Sequence, residues 1–252
     1  MTTRGHALDQ VLKLANRYRE HEGNYLQQSI EVGTSWEDYP QHGISGPITR
    51  GELLLEATTL DSQRMPRFFA RVMAWGFGPA GYAAYRTDRI LEWLDPSISD
   101  GSARLIKWIS QLRDAAEVGP KEGLEFLGSD AGYVKFLGPS FSTKMLYFLS
   151  PEGNRGPIHD AVVNSWLWRQ GVASRVAPIR LDHKDLAGYE EWVKFCDKAL
   201  VNLKSDGQGQ AHEDRGFIEY LIFQDQLRFD ANSGLASWIR PSDLTVVSCP
   251  SE

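Results

Sequence analysis

Apolar residues recur at helical spacing along most of the chain. Leu8, Val11, Leu12 and Ala15 fall on one face of a helix, which predicts an amphipathic helix over residues 6–21. The same spacing predicts further helices over residues 49–60, 62–75, 81–94, 101–117, 120–127, 160–170, 186–204 and 212–229. Residues 172–181 are rich in β-forming residues, but this isolated segment needs no sheet. The pattern therefore predicts a mainly α fold.

The stretch from Lys135 to Trp166 combines a turn and two helices with a lysine, Lys144, and an aspartate, Asp160. Gly138-Pro139-Ser140 is a turn whose proline pre-sets φ for a helix, so we expect a helix to begin near Ser140. Residues 150–154 break this helix, and Asp160 lies at the start of the next one, sixteen residues beyond Lys144. The first of these helices carries one apolar stripe at helical spacing, formed by Phe141, Met145, Phe148 and Leu149.

Two helix starts carry capping residues. Thr49 followed three residues later by Glu52 has the spacing of a capping box, in which each side chain bonds the other residue's backbone N–H. Asp160 is also a good N-cap, and a plain capping role is the structural alternative to any chemical role for it. For Lys144 the corresponding alternative is a solvated lysine or one that contacts phosphate.

A long segment without clear periodicity covers residues 23–48. It contains Trp36, Asp38 and Tyr39, and a cluster of aromatic and carboxylate side chains in a long loop is a candidate for lining a pocket. The alternative is that Trp36 and Tyr39 close the core beneath the loop. A glycine-rich elbow at residues 75–82 lacks the spacing of a nucleotide-binding loop and predicts a turn between helices.

Composition predicts a soluble globular protein. With 252 residues and 42% apolar content, the chain can bury a core as one domain or as two packed lobes. No signal peptide follows Met1 and no stretch of about eighteen uncharged apolar residues occurs, so we expect a cytoplasmic protein without a membrane partner. Cys196 and Cys249 form no C-x-x-C pair, which favours chemistry without a metal or other cofactor.

Positive charge is concentrated in one part of the chain. The net charge is −6, yet residues 135–184 contain seven Lys or Arg and three Asp or Glu. One basic face on an acidic body suits docking to a polyanion, and the alternative is that the charge of a short window in any protein varies this far by chance. In addition, a glycine-containing turn before a helix directs backbone N–H groups toward one point, and such an arrangement can bind phosphate. Turns of this kind are common, and most of them only connect helices.

Two segments of this stretch resemble a known family. Residues 136–144, FLGPSFSTK, resemble a diverged helix-hairpin-helix, and residues 156–160, GPIHD, resemble the Gly/Pro-rich loop with its aspartate in the helix-hairpin-helix DNA glycosylase superfamily. The bacterial 8-oxoguanine-glycosylase-like branch is the most similar, through ITRGEL at Ile48 and LGPSFSTKMLYF at Leu137. The resemblance covers residues 45–230.

The resemblance implies a fold, a reaction and a partner. The fold would be a two-lobed helical glycosylase-like unit over residues 1–252, with the hairpin and the catalytic loop at about residues 134–168. The chain would be a monomer that binds double-stranded DNA, flips a modified base out of the stack and cleaves its N-glycosidic bond. Lys144 falls where the oxoguanine enzymes keep a nucleophilic lysine, and Asp160 falls on the superfamily's catalytic aspartate.

This chain departs from the family at the hairpin and at the base pocket. Ser140 and Ser142 stand where the family prefers glycines, and Phe148 stands where oxoguanine enzymes have a cysteine. The predicted base pocket consists of Trp36, Asp38, Tyr39, Phe148, Phe217, Tyr220 and Gln224, all of which have a core-packing alternative. The predicted contacts to the DNA backbone are Gly138, Ser140, Ser142, Thr143, Lys135, Arg155, Arg169 and Arg175.

The departures bear on the substrate. Bacterial proteins that resemble this branch include antiviral glycosylases, which implies a hypermodified phage cytosine, such as glucosylated hydroxymethylcytosine, as the excised base. Repair of 8-oxoguanine is the alternative within the same enzyme class. A DNA-binding module that keeps the hairpin but has no activity is the alternative in another class.

Overall fold

In the part of the chain that the structure describes, the protein is a bundle of α-helices with very little strand. A computed structural model describes residues 3–21, 25–94, 102–172, 186–205 and 214–233. Within these ranges the helices are α1 (Thr3–His21), α2 (Arg50–Thr58), α3 (Met65–Phe77), α4 (Ala83–Leu94), α5 (Ser102–Val118), α6 (Pro120–Leu127), α7 (Pro139–Leu149), α8 (Ala161–Arg169), α9 (Leu186–Ser205) and α10 (Arg215–Asn232). The prediction of a mainly α fold is therefore confirmed.

Local signals in the sequence account for the helix starts. The Thr49 hydroxyl accepts the Glu52 backbone N–H at 3.1 Å, and the Glu52 carboxylate accepts the Thr49 N–H at 2.9 Å, which completes the predicted capping box of α2. Gly138 caps α7, and Pro139 follows as its first residue. The side chain of Asp160 caps α8 by accepting two backbone N–H groups.

The segment between α1 and α2 differs from the predicted loop. Two short strands, β1 (Ser29–Ile30) and β2 (Ile48–Thr49), pair antiparallel with Ser29 opposite Thr49. Short 3-10 helices lie beside them at Tyr25–Gln27, Thr34–Asp38 and Pro40–His42. Elements of two to five residues show no periodicity, so the sequence pattern cannot predict them. Of the β-rich segment 172–181, all but Val172 lies outside the described residues.

Helix α7 lies inside the bundle, against α2, α3, α5 and α6. Every residue from Phe141 to Leu149 is buried, including Lys144. Residues from all ten helices contribute to one contiguous apolar cluster around it. Burying a lysine in such a helix is costly unless its charge finds a partner. Among the described helices, none combines the length and the apolar character that a membrane crossing requires.

Candidate active site

The side chains of Lys144 and Asp160 meet in an ion pair. Lys144 Nζ lies 3.1 Å from Asp160 Oδ2, and it also donates a hydrogen bond to Ser140 Oγ at 2.9 Å. The lysine side chain is 7% exposed and the aspartate side chain is 11% exposed. Charges held in this way interact more strongly than they would in water, because little solvent screens them.

Asp160 is fixed by the helix that it caps. Its Oδ1 accepts the backbone N–H groups of Val162 and Val163 at 3.1 and 3.0 Å, while Oδ2 faces Lys144. The prediction that Asp160 is an N-cap is thus correct, since its Oδ1 caps α8. The other oxygen contacts the lysine, so the two roles coexist in one carboxylate.

The loop before Asp160 is held from two sides. Thr143 Oγ1 accepts the His159 backbone N–H at 3.1 Å, which ties α7 to this loop. From α9, Tyr189 donates a hydrogen bond to the Pro157 carbonyl at 3.0 Å, and Trp192 Nε1 donates one to the Ile158 carbonyl at 3.1 Å. A group positioned this firmly can act without first reorganising.

The pKa of the Asp160 carboxyl lies below its ordinary value. Burial alone would raise the pKa, but the charge of Lys144 and the hydrogen bonds from the Val163 N–H and Lys144 outweigh that effect. Asp160 is therefore a carboxylate at neutral pH. A fixed negative charge of this kind can stabilise positive charge that develops nearby.

The ion pair opens onto a cleft of about 110 Å³. Gly76 makes room for the lysine, because a Cβ at this position would lie 2.6 Å from Phe141 Cε1 and 2.9 Å from Lys144 Cδ. Apart from these groups, the cleft is lined by four aromatic residues, Tyr25, Trp75, Tyr220 and Phe223, by four polar residues, Gln28, Arg50, Glu219 and Gln224, and by Ile30. Aromatic walls with a few polar groups are typical of a site for a flat, polar ligand.

A second buried ion pair forms part of the cleft. Arg50 and Glu219 are 4% and 3% exposed, and Arg50 Nη2 lies 2.8 Å from Glu219 Oε2. Three aromatic rings surround the guanidinium, with centroids at 5.1 Å for Trp75 and Tyr147 and 5.5 Å for Tyr25. Burial, partly offset by Arg50, leaves the pKa of the Glu219 carboxyl above its ordinary value. Glu219 Oε1 has no hydrogen-bond partner among the described residues.

Replacing Arg50 by Met is expected to lower the free energy of unfolding by about 3–5 kcal/mol, because the Glu219 charge loses its buried partner. Arg64→Met is the matched control, since the Arg64–Asp61 pair is about half exposed, and it is expected to change stability far less. Denaturant unfolding of the two variants measures the free energy of unfolding of each. Equal small losses from the two substitutions would show that the Arg50–Glu219 pair contributes little. Adding Glu219→Gln to Arg50→Met is expected to restore part of the loss.

The predicted base-pocket residues divide into two groups. Tyr220 and Gln224 line the cleft. The other five are not among the lining residues. Phe148 is buried behind Trp75, with ring centroids 5.2 Å apart, and Phe217 is buried against Tyr25 at 5.4 Å. Trp36 and Tyr39 pack against His42, and Asp38 is exposed on the 3-10 helix that contains Trp36.

The predicted contacts to the DNA backbone are also dispersed. Ser140 and Thr143 support the ion pair and the loop before Asp160, while Ser142 is buried and donates to the Leu137 carbonyl at 3.4 Å. Gly138 has open space on its Cβ side, and Lys135 is exposed. The remaining three are arginines: Arg155 pairs with Asp214 at 2.9 Å, Arg169 pairs with Asp225 at 2.6 Å, and Arg175 lies outside the described residues.

Sequence reasoning missed the polar residues Gln28, Arg50 and Glu219 of the cleft and its aromatic residues Tyr25, Trp75 and Phe223. A signal existed for Glu219, because it is the one charged residue inside the apolar run FIEYLIF of α10. Arg50 stood in the ITRGEL segment but without an assigned role. A charge that interrupts an apolar stretch is buried only with a partner, and that rule could have drawn attention to Glu219.

A protein-family model described as "Putative 8-oxoguanine DNA glycosylase OGG-like protein" matches residues 13–223, which is most of the chain. The chain belongs to this family. No curated protein and no solved structure matches it. The OGG-like match includes Lys144, Asp160, Arg50 and Glu219, and membership of the family indicates DNA glycosylase activity and DNA as the substrate. The resemblance noted at the hairpin is thus confirmed at the level of the family.

Proposed function

We propose that the protein is a DNA glycosylase that takes a modified base out of the double helix and cleaves its N-glycosidic bond. The contact of Lys144 Nζ with Asp160 Oδ2 at 3.1 Å, at the edge of an aromatic cleft, is the observation that carries this proposal. An enzyme that excises a flipped nucleotide needs a pocket for the base and charged groups beside the sugar. Here the aromatic cleft is the proposed pocket, and Lys144 and Asp160 are the charged groups.

In the proposed reaction, Lys144 and Asp160 act on C1′ of the sugar. As the bond from C1′ to the base lengthens, positive charge grows on the sugar, and the Asp160 carboxylate stabilises it. Lys144 Nζ bonds to C1′ after its ammonium has given up a proton, and the base leaves with the electron pair of the broken bond. The proton that the ammonium gives up is the proton that the departing base takes. The C1′–O4′ bond then breaks, its electron pair goes to O4′, which takes a proton from Nζ, and the opened adduct is a Schiff base.

The polar groups of the cleft are the proposed contacts for the edge of the base. Glu219 Oε1 and the side-chain amide of Gln224 have no hydrogen-bond partner among the described residues. The amide of Gln28 accepts the Tyr220 hydroxyl through Oε1, which leaves its N–H groups to donate to a ligand. A carboxylate oxygen accepts from an exocyclic amino group, such as N4 of cytosine, or from a ring N–H.

For the base, we propose a hypermodified phage cytosine such as glucosylated hydroxymethylcytosine, with antiviral defence as the role. Support comes from the resemblance to antiviral glycosylases and from the Glu219 acceptor, which suits an amino-bearing base. The alternative is 8-oxoguanine, which also presents N–H donors and after which the matched family is named. Lyase activity, a monomeric state and a cytoplasmic location are parts of the same proposal.

Free base is expected to appear when the protein is incubated with DNA that carries its substrate. The measurement is mass spectrometry of small molecules released from phage DNA with glucosylated hydroxymethylcytosine, from duplexes with 8-oxoguanine, and from unmodified DNA as the control. Release of modified cytosine from the phage DNA supports the antiviral role, and release of 8-oxoguanine from its duplex supports a role in repair. If no DNA loses a base while duplex binding persists and weakens with salt, the protein is a binding module.

A further inference from the structure

The exposed face of α4 forms a ridge with the turn before α7. Tyr82 directly precedes α4, and Arg86, Arg89 and Trp93 follow it in the helix at spacings of four, three and four residues, so these side chains lie on the same side. The turn at residues 133–136 adds Tyr133, Lys135 and Phe136. Trp93 and Tyr133 join the two parts, with ring centroids 6.0 Å apart.

Exposed aromatic side chains are concentrated on this ridge. Among the described residues, ten large apolar side chains are exposed. Five of the ten lie on or beside the ridge, and all five are aromatic: Tyr82, Tyr85, Trp93, Tyr133 and Phe136. Such a concentration of exposed rings on one surface is unusual unless the surface meets a partner.

The turn is built to present Phe136. This residue has a φ of +70°, which non-glycine residues rarely adopt, and 38% of the residue is exposed. Arg86 holds the turn by donating to the Phe136 carbonyl through Nε and Nη2, at 3.0 and 2.7 Å. Arg89 and Lys135 lie over the ring, with their charged groups 5.5 and 5.1 Å from its centroid. The ring is therefore exposed between two cations.

The charge of the ridge suits a polyanion. Arg89 and Lys135 are exposed, and the partner of Arg89 is Glu92, an equally exposed carboxylate at 3.4 Å that a phosphate can replace at little cost. Asp88, the other carboxylate of α4, turns away from the ridge toward His42 and Gln41. Cations placed among exposed rings are the recognised combination for binding single strands and unstacked bases.

Contacts between aromatic rings connect the ridge with Lys144. Tyr82 contacts Phe77 with ring centroids 5.0 Å apart, and Phe77 contacts Phe141 at 4.2 Å. The Phe141 ring in turn lies 5.4 Å from Lys144 Nζ. A chain of three rings thus leads from the ridge to the lysine.

We propose that this ridge binds the DNA strand next to the flipped nucleotide, with Arg89 and Lys135 on phosphates and Phe136 against a base or sugar. The proposal rests on the proposed function, because the cleft must hold the flipped nucleotide for the adjoining strand to reach the ridge. It adds α4, which has no part in the hairpin, to the DNA-binding surface.

The test is the salt dependence of DNA binding by the double variant Arg89→Gln/Lys135→Gln. Fluorescence anisotropy with a labelled duplex carrying 8-oxoguanine, and with the same duplex unmodified, gives the slope of log affinity against log salt. Loss of two phosphate contacts is expected to make this slope shallower by about 2 and to weaken binding to both duplexes by a similar factor.

Lys121→Gln/Lys194→Gln is the matched control. It removes the same charge from two exposed lysines that pair with Glu190, away from the ridge, and it is expected to leave the slope nearly unchanged. If the slope is unchanged in the Arg89/Lys135 variant, or changes equally in both variants, the ridge does not bind DNA. A protein partner would then explain the exposed rings of the ridge. If the wild type releases no base but the slope of the ridge variant is still shallower, the proposed function fails, and the ridge stands only as a DNA-binding surface without a flipped nucleotide beside it.

Discussion

Replacing Asp160 by Asn is expected to lower the rate of base release by at least about 10²-fold, because the carboxylate is the charge that stabilises the sugar as the glycosidic bond breaks. Asn caps helices about as well as Asp, so the hydrogen bonds to the α8 N–H groups persist. The lower rate then reports the loss of the negative charge. The measurement is single-turnover release of base with the enzyme in excess, on whichever substrate the wild type accepts.

Asp225→Asn is the control for this variant. Asp225 is also partly buried, with 19% of its side chain exposed, and it pairs with Arg169 as Asp160 pairs with Lys144. It is not among the residues that line the cleft, so we expect its loss to leave the release rate within a few-fold of the wild type. Thermal unfolding shows whether each variant is folded. A folded Asp160→Asn variant that releases base at the wild-type rate refutes the catalytic role of Asp160.

Replacing Lys144 by Gln is expected to abolish a covalent adduct between the protein and DNA. If Lys144 Nζ bonds to C1′, borohydride reduces the resulting Schiff base and traps the wild-type protein on its substrate. Gln can still donate to Ser140 and Asp160, so the variant separates loss of the amine from loss of these contacts. Denaturing gel electrophoresis of the reduced reaction gives the trapped fraction.

Lys121→Gln provides the comparison, because this lysine is exposed on α6 and has no contact with the cleft residues. The fraction of the Lys121→Gln variant that is trapped on DNA is expected to equal that of the wild type. An active wild type that yields no adduct contradicts the nucleophilic role. Lys144 would then serve by holding Asp160, and water would attack the sugar instead.

The Lys144–Asp160 and Arg50–Glu219 ion pairs differ in how far they can be predicted from the sequence. Lys144 and Asp160 lie in one short stretch whose turn, break and helix starts can be read locally, and a family resemblance marks both. Arg50 and Glu219 are 169 positions apart, and no local rule connects them. Their pairing depends on α2 and α10 coming together, which is a property of the packed bundle.

The aromatic residues illustrate the same limit. Phe148 and Phe217 have the helical spacing of core residues and the chemistry of a base pocket, and the pattern alone cannot separate the two. In the folded protein both lie in the core away from the cleft, while Trp75, Tyr220 and Phe223 line it. Burial depends on which neighbouring helix covers a given face, and this information is not local.

The sequence by itself determined the ten helices found in the described residues, the capping box at Thr49 and the turn before α7, because periodicity and capping act within a few residues, and the family resemblance added Lys144 and Asp160 as candidates. Only the tertiary structure decided which residues line the cleft, that Lys144 Nζ contacts Asp160 Oδ2, and that Arg50 pairs with Glu219. Those facts depend on contacts between distant segments, which form when burial of the apolar faces brings the helices together.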